Sequence, residues 1–361
     1  MFERKLSRES QPMSDLCIDV GPQLNENVAI ETAINLAQYD GHGCLTVDFS
    51  ATQHFEPFAM LLVGAAVRQS QSRALLHGGQ VQIPEEHIFP GIAGHMGFWS
   101  SMGMAIGRGV NAPCKNEDYV PVSKLEIGRL LRSSQGILPL VIDGIDREAD
   151  RLARVLVPQR DEPELYQALQ YSLRELLRNA AEHSQAEEVW YAGMRWPNRG
   201  FVQVAVLDEG RGVRAALNDS KQYCFDSDIE AIDASLRLGV SSSAHLPLRE
   251  SERIRWLEAQ LEAQPEFYLN SGVGLYVTSQ LARRAGQFIL CSGDHARLFI
   301  GQASMEKATD LIGTALRMVL RPDQVNGVLD EVLESTHNLP QAKPLITGSM
   351  MKRLGLRTDD Q

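Results

Sequence analysis

Glu175, Asn179 and Asp208, with the glycine pairs Gly210/Gly212 and Gly272/Gly274, are the residues of this chain whose types and spacing could do chemistry. Glu175 and Asn179 are four apart, so on a helix they share one side, a turn apart. Such a pair can face a ligand or stand as a solvated pair. Asp208 ends the alternating run Val202–Leu207 and opens Asp-Glu-Gly-Arg-Gly. An acid at a strand end can accept a hydrogen bond from an amino group, and glycines let a flat ring approach the backbone; the same residues also make turns. Gly272, Val273, Gly274 and Leu275 precede a helical pattern. Free N–H groups at a helix start form an anion site suited to phosphates. No Lys-Ser or Lys-Thr follows, so this is not a Walker loop, and the glycine spacing departs from a dinucleotide fingerprint. In this order the three blocks describe a place for a nucleotide.

The elements that must position them are legible from periodicity. Residues 164–184 read as the clearest helix, with Pro163 at its start, where a missing N–H costs nothing. Its apolar stripe (Leu165, Leu169, Leu173, Leu176, Ala180) places Glu175 and Asn179 on the rim, with Arg174 and Arg178 toward solvent. Runs 189–196 and 201–207 read as a hairpin. The stretch from Arg214 to Asn270 is polar and helical in pattern, with helices expected around 229–238 and 248–261. A helix over 275–285, strands over 288–291 and 296–300, and a closing strand over 313–320 complete this half. Upstream, helices over 27–38 and 57–69 alternate with strands at 44–49 and 81–83, a small α/β unit.

The three ordered blocks resemble the GHKL superfamily of gyrase B subunits, heat-shock chaperones of the ninety-kilodalton class, sensor histidine kinases and mismatch-repair ATPases. The likeness covers roughly residues 164–321. It implies an α/β (α+β) sandwich of Bergerat type, helices on a mixed sheet, holding ATP with Mg2+. The residue matching Asn179 would coordinate the metal, and that matching Asp208 would hold the adenine amino group. Gly210, Gly212, Gly272 and Gly274, with Val273 and Leu275 between and beside them, would shape the base pocket and the phosphate lid. Glu175 matches the glutamate that orients or deprotonates water in members that hydrolyse ATP, a role that needs hydrogen-bond reach; many kinases carry a glutamate there too. His183 resembles a histidine near the phosphates of some kinases, and a structural histidine is equally open. Glu182 stands where sensor kinases often carry a lysine, a departure from that branch. The closing strand with Gly313 and Thr314 resembles the end of the family's domain.

Residues 44–69 loosely resemble the STAS-like fold of anti-sigma-factor antagonists. Members controlled by phosphorylation carry a serine at the helix start, whereas this chain has Phe55-Glu-Pro-Phe58. The organisation expected is a STAS-like α/β domain over 1–124, a helical connector over 125–160, an ATP-binding domain over 161–322, and a short helix with a flexible tail over 323–361. The N-terminal domain would dock a protein partner or the ATP-binding domain, or serve packing alone; the lid is the other expected partner surface, and a homodimer is left open.

A balance of 35 basic against 46 acidic residues, net −11, argues against non-specific binding to nucleic acid or anionic membranes. Cys17, Cys44, Cys114, Cys224 and Cys291 are scattered, as in a reduced cytoplasmic protein. The longest apolar run, 58–67, is too short to span a bilayer. The functional expectation is a slow Mg-dependent ATPase whose lid closure switches a protein interaction. A protein kinase of the anti-sigma-factor serine kinase or histidine kinase type, and a nucleotide-sensing module without turnover, are the alternatives.

Overall fold

The computed structural model describes residues 15–85, 88, 91–113, 118–133, 138–157, 161–220, 222–241, 272–301 and 303–336. The chain has a mixed helix-and-sheet architecture. Its centre is a five-stranded sheet in the order β6-β7-β8-β10-β9, formed by β6 (Tyr119–Glu126), β7 (Glu188–Trp196), β8 (Phe201–Asp208), β9 (Gly286–Ile300) and β10 (Ala303–Leu320). Every pairing in this sheet is antiparallel. The mixed sheet expected from the resemblance is therefore not what forms. β10 folds back on β9 and inserts beside β8, so β8 and β9, which a crossover separates, never pair directly.

Strand alternation sends side chains to two different cores. Val202, Val204 and Val206 of β8 and Leu316, Met318 and Leu320 of β10 join one buried cluster with α6 (Leu138–Leu156), α7 (Pro163–His183) and α10 (Gly274–Ala285). Ala205, Leu207 and Ala315 point the other way, into a cluster made with α1 (Glu26–Ala37) and α2 (Pro57–His77). The sheet is thus covered on both faces.

The second cover is the N-terminal unit. It carries a parallel three-stranded sheet, β1 (Leu16–Asp19), β3 (Cys44–Asp48) and β5 (Gln80–Gln82), in the order β1-β3-β5, and a minor parallel pair, β2 (Gln23–Leu24) with β4 (His54–Phe55). Asn25 caps α1, its side chain accepting from the N–H groups of Asn27 and Val28. Residues 58–63 of α2 are buried on every side, which a helix between two layers requires. Gln203 of β8 bonds Glu56 at 3.1 Å, and Arg317 of β10 lies 3.6 Å from the same carboxylate. Two short helices, α3 (Gly91–His95) and α4 (Phe98–Ser101), set Phe98 and Trp99 against Phe49 and Phe55.

The segment read as a connector is built into the C-terminal half. β6 is the sheet's edge strand, and α5 (Ile127–Ser133) and α6 lie on the face shared with α7. A boundary at residue 124 would cut through β6. The polar stretch after β8 yields α8 (Gly212–Asn218) and α9 (Asp228–Ser235), and the tail yields α11 (Val328–Ser335). The helix expected around 248–261 and the end of the chain lie outside the described residues. Among the described residues no helix is long and apolar enough to cross a membrane.

Candidate functional site

The cavity over the C-terminal half of the five-stranded sheet begins with α7, which turns Leu176, Asn179, Ala180 and His183 toward the end of β8. β8 stops at Asp208 because the backbone turns there. The Asp208 carboxylate accepts the Gly210 N–H at 3.0 Å, while Asp208 pairs in register with Thr314 of β10 and Val189 of β7. Asp208 is 4% exposed. Burial is the largest influence on its carboxyl group and Glu209 adds to it; together they push it up to about 7 against the bonds from Gly210 and Thr314. A group in that state gains from a ligand that donates to it.

Glycines shape the walls at two points. Gly212 has φ +77°, a conformation L side chains rarely adopt, and opens α8 against Ser292 and Gly313. Gly272 has φ +84°, and a β-carbon there would lie 2.6 Å from the carbonyl carbon of Gly239. The Gly239 N–H donates to the Gly272 carbonyl at 2.9 Å, so the two ends of the segment 240–271 meet at the cavity's edge. Ser235, Val240 and Ser241 line that edge.

The space between these walls is about 850 Å3, open solvent at its mouth included. Leu176, Val206, Leu290 and Leu316 give it an apolar floor, with Asp208 and Thr314 at one end and the start of α10 at the other. Such an arrangement can hold a flat heterocycle bearing an amino group, with an anion near the α10 N-terminus. His183 is held below its ordinary pKa by burial, ahead of the opposing influence of Glu182, and so is neutral at neutral pH.

Asn179, His183, Asp208, Gly212, Gly272, Gly274, Leu275 and Thr314 thus wall one cavity. Glu175, Gly210 and Val273 are not among its lining residues. Gly210 packs against the end of α7, where a β-carbon would lie 2.2 Å from the Ser184 carbonyl oxygen. Val273 is buried with Val277 and Val332. Glu175 is 3% exposed, and its carboxylate takes a 3.2 Å bond from Arg174 and lies against Gly274. No group of three or more His, Cys, Asp or Glu side chains able to hold a metal occurs among the described residues.

Arg174 and Arg178 do not point to solvent as the wheel implies: each side chain is 16% exposed. Arg178 pairs with Glu182 at 2.7 Å, and both arginines lower the carboxyl group of Asp146 on α6, which burial raises to about 6. Ser292 is the residue that sequence reading missed. Its hydroxyl donates to the Gly313 carbonyl at 3.0 Å and accepts the Val213 N–H at 2.9 Å, fastening the start of α8 to β10. A lone serine inside an apolar strand run carries no spacing that would reveal this.

Comparisons of the chain with protein-family models, with curated proteins and with solved structures find no match.

Proposed function

We propose that this protein binds ATP with magnesium in the cavity above Asp208, as a nucleotide-binding unit related to the GHKL superfamily, with a STAS-like unit docked on the back of its sheet. One observation carries the reading. Asn179, Asp208, Gly212, Gly272 and Gly274, spread over almost a hundred residues of sequence, wall one cavity with a buried acid at one end and a helix start at the other. The resemblance rests on this site and not on the sheet, whose pairings are antiparallel throughout.

In this proposal Asp208 accepts the adenine amino group, the apolar floor takes the ring, Asn179 coordinates the magnesium, and the α10 backbone faces the phosphates. Magnesium supplies charge neutralisation when bound. Glu175 would orient the attacking water in slow hydrolysis, for which its carboxylate has to turn from Arg174 and Gly274 toward the cavity. Its present engagement favours a second reading, a nucleotide held as a sensory ligand without turnover. The switching segment of the proposal falls mainly on residues 242–271, outside the described residues.

Isothermal titration with magnesium and a non-hydrolysable ATP analogue tests the site: wild type should bind and Asp208→Asn should not. Equal binding by both would sink the assignment. Incubation with γ-labelled ATP then separates the chemistries. Free phosphate that disappears in Glu175→Ala supports the ATPase, label on protein a kinase, and neither a sensory ligand.

A further inference from the structure

The N-terminal unit reaches the acid end of the cavity through one helix. Arg68 of α2 donates through Nε and Nη2 to Glu209 Oε2, at 3.2 and 3.0 Å. Its Nη1 donates to the Ser101 carbonyl at 3.1 Å, and its guanidinium stacks 4.0 Å above the Trp190 ring. Arg68 is 20% exposed and Glu209 27%. One helical step further along, Gln69 donates to the Ile312 carbonyl at 3.3 Å. Glu209 follows Asp208, and Ile312 precedes the Gly313-Thr314 pair that faces it. α2 therefore grips both strands beside the buried acid.

We propose that Arg68 is a positioning residue of the nucleotide cavity: it holds the Glu209 carboxylate beside Trp190 and screens its charge, so that more of Asp208 is ionised for the ligand. The proposal rests on the nucleotide reading of the site. Its physical basis is the adjacency of two carboxylates, one buried and one held by an arginine whose other contacts fix its place. An arginine with a stacked face and three anchored nitrogens loses little freedom in holding that pose.

Among the described residues, the other charged groups on the elements around Asp208 are engaged elsewhere, neutral or exposed. Arg211 pairs with Asp219 at 2.6 Å, Arg214 with Asp228 at 2.9 Å, and Glu188 with Lys124. On α7, Glu175 is bonded by Arg174, Glu182 by Arg178, and His183 is neutral. On β9 the Cys291 thiol is buried and pushed up to about 12, and Asp310 of β10 is exposed. Arg68 is thus the cation placed to offset Glu209.

The test measures binding of magnesium with a non-hydrolysable ATP analogue, by titration calorimetry from pH 5.5 to 9, for the full chain. The nucleotide's own titration is common to all variants and cancels between them. Arg68→Gln should raise the midpoint of the pH profile by about one unit, which weakens binding about fivefold at pH 7 and leaves it unchanged at pH 9. Glu209→Gln should lower the midpoint, and the double variant should behave like Glu209→Gln alone. A purely structural Arg68 would lower affinity alike at every pH, and that result, or an unmoved midpoint in both single variants, would overturn the proposal. Should Arg68→Gln not fold, Glu209→Gln carries the test by itself. A wild type that binds no nucleotide at any pH sinks the nucleotide reading instead, a result distinct from an unmoved midpoint.

Discussion

A β-carbon on Gly274 would lie 2.0 Å from Oε2 of Glu175, so the first residue of α10 and the carboxylate on α7 occupy adjoining space with no room for a methyl group. The carboxylate sits where the helix dipole favours an anion, and it helps fix the start of α10 against α7. The glycine is needed here for close approach, and the glutamate is what approaches.

Gly274→Ala should therefore destabilise the fold by about 1–3 kcal/mol, because the new methyl forces the buried carboxylate or the helix to shift. Adding Glu175→Ala should recover part of that loss, since the atoms in conflict are gone. Urea unfolding of the two single variants and the double measures the coupling. Strict additivity would show that the glycine serves some other contact.

The buried carboxyl group of Asp208 predicts a trade between stability and binding. Its folded pKa is raised from 3.8 to about 7, so ionising it costs the fold nothing below its ordinary value and progressively more as pH rises. The cost is complete above about pH 7 and amounts to about 4 kcal/mol. Asp208→Asn keeps an acceptor for the Gly210 N–H and removes the ionisation. Its unfolding midpoint in urea should exceed that of wild type at pH 8, with the two curves converging near pH 4, while nucleotide binding is lost at every pH. A variant less stable than wild type at pH 8 would contradict this.

Much of this arrangement was legible in residue patterns, and the failures have physical causes. α7 was readable because its apolar stripe, its Pro163 start and its length all agree, and the β7–β8 hairpin because both runs alternate around a turn. β6 was missed because Pro121 interrupts it. The structure tolerates that proline on an edge strand, inside the irregularity between Val120 and Ser123. Gly212, Gly272 and Gly274 line the cavity, whereas Gly210 serves the approach to Ser184 and not the cavity wall, a distinction only three dimensions make. The apolar run 58–67 marks α2 as a buried helix of the N-terminal unit; that it covers the central sheet follows from long-range packing that no window of sequence contains.

Gly210→Ala accordingly separates fold from site. With a β-carbon 2.2 Å from the Ser184 carbonyl oxygen, the turn after β8 has to move away from α7, and Arg211, whose N–H donates to that same oxygen at 2.9 Å, moves with it. The expected loss is about 1–3 kcal/mol in urea unfolding. Affinity for magnesium with the ATP analogue, measured on the folded fraction at low temperature, should change less than in Gly212→Ala, whose glycine lines the cavity at positive φ. The reverse order of effects would return Gly210 to the base pocket.

Arg178 decides between the helical wheel and the packed molecule. Were it solvated, Arg178→Ala would change stability by no more than about 0.5 kcal/mol. In the structure its guanidinium bonds Glu182 at 2.7 Å and lowers the carboxyl group of Asp146, whose Oδ1 is buried with no hydrogen-bond partner. Removing the arginine takes a cation from two largely buried carboxylates, at a cost of about 2 kcal/mol or more near pH 8. The sign with pH follows from those acids. The folded pKa of Asp146, already raised to about 6, rises further in the variant, so the penalty is present where that acid is ionised and shrinks as pH falls through about 6 and below, where protonation relieves it. Urea unfolding of wild type and Arg178→Ala at pH 8 and pH 5 should show a gap that narrows toward acid; a small gap at pH 8, or one that widens at pH 5, would place this side chain back in solvent.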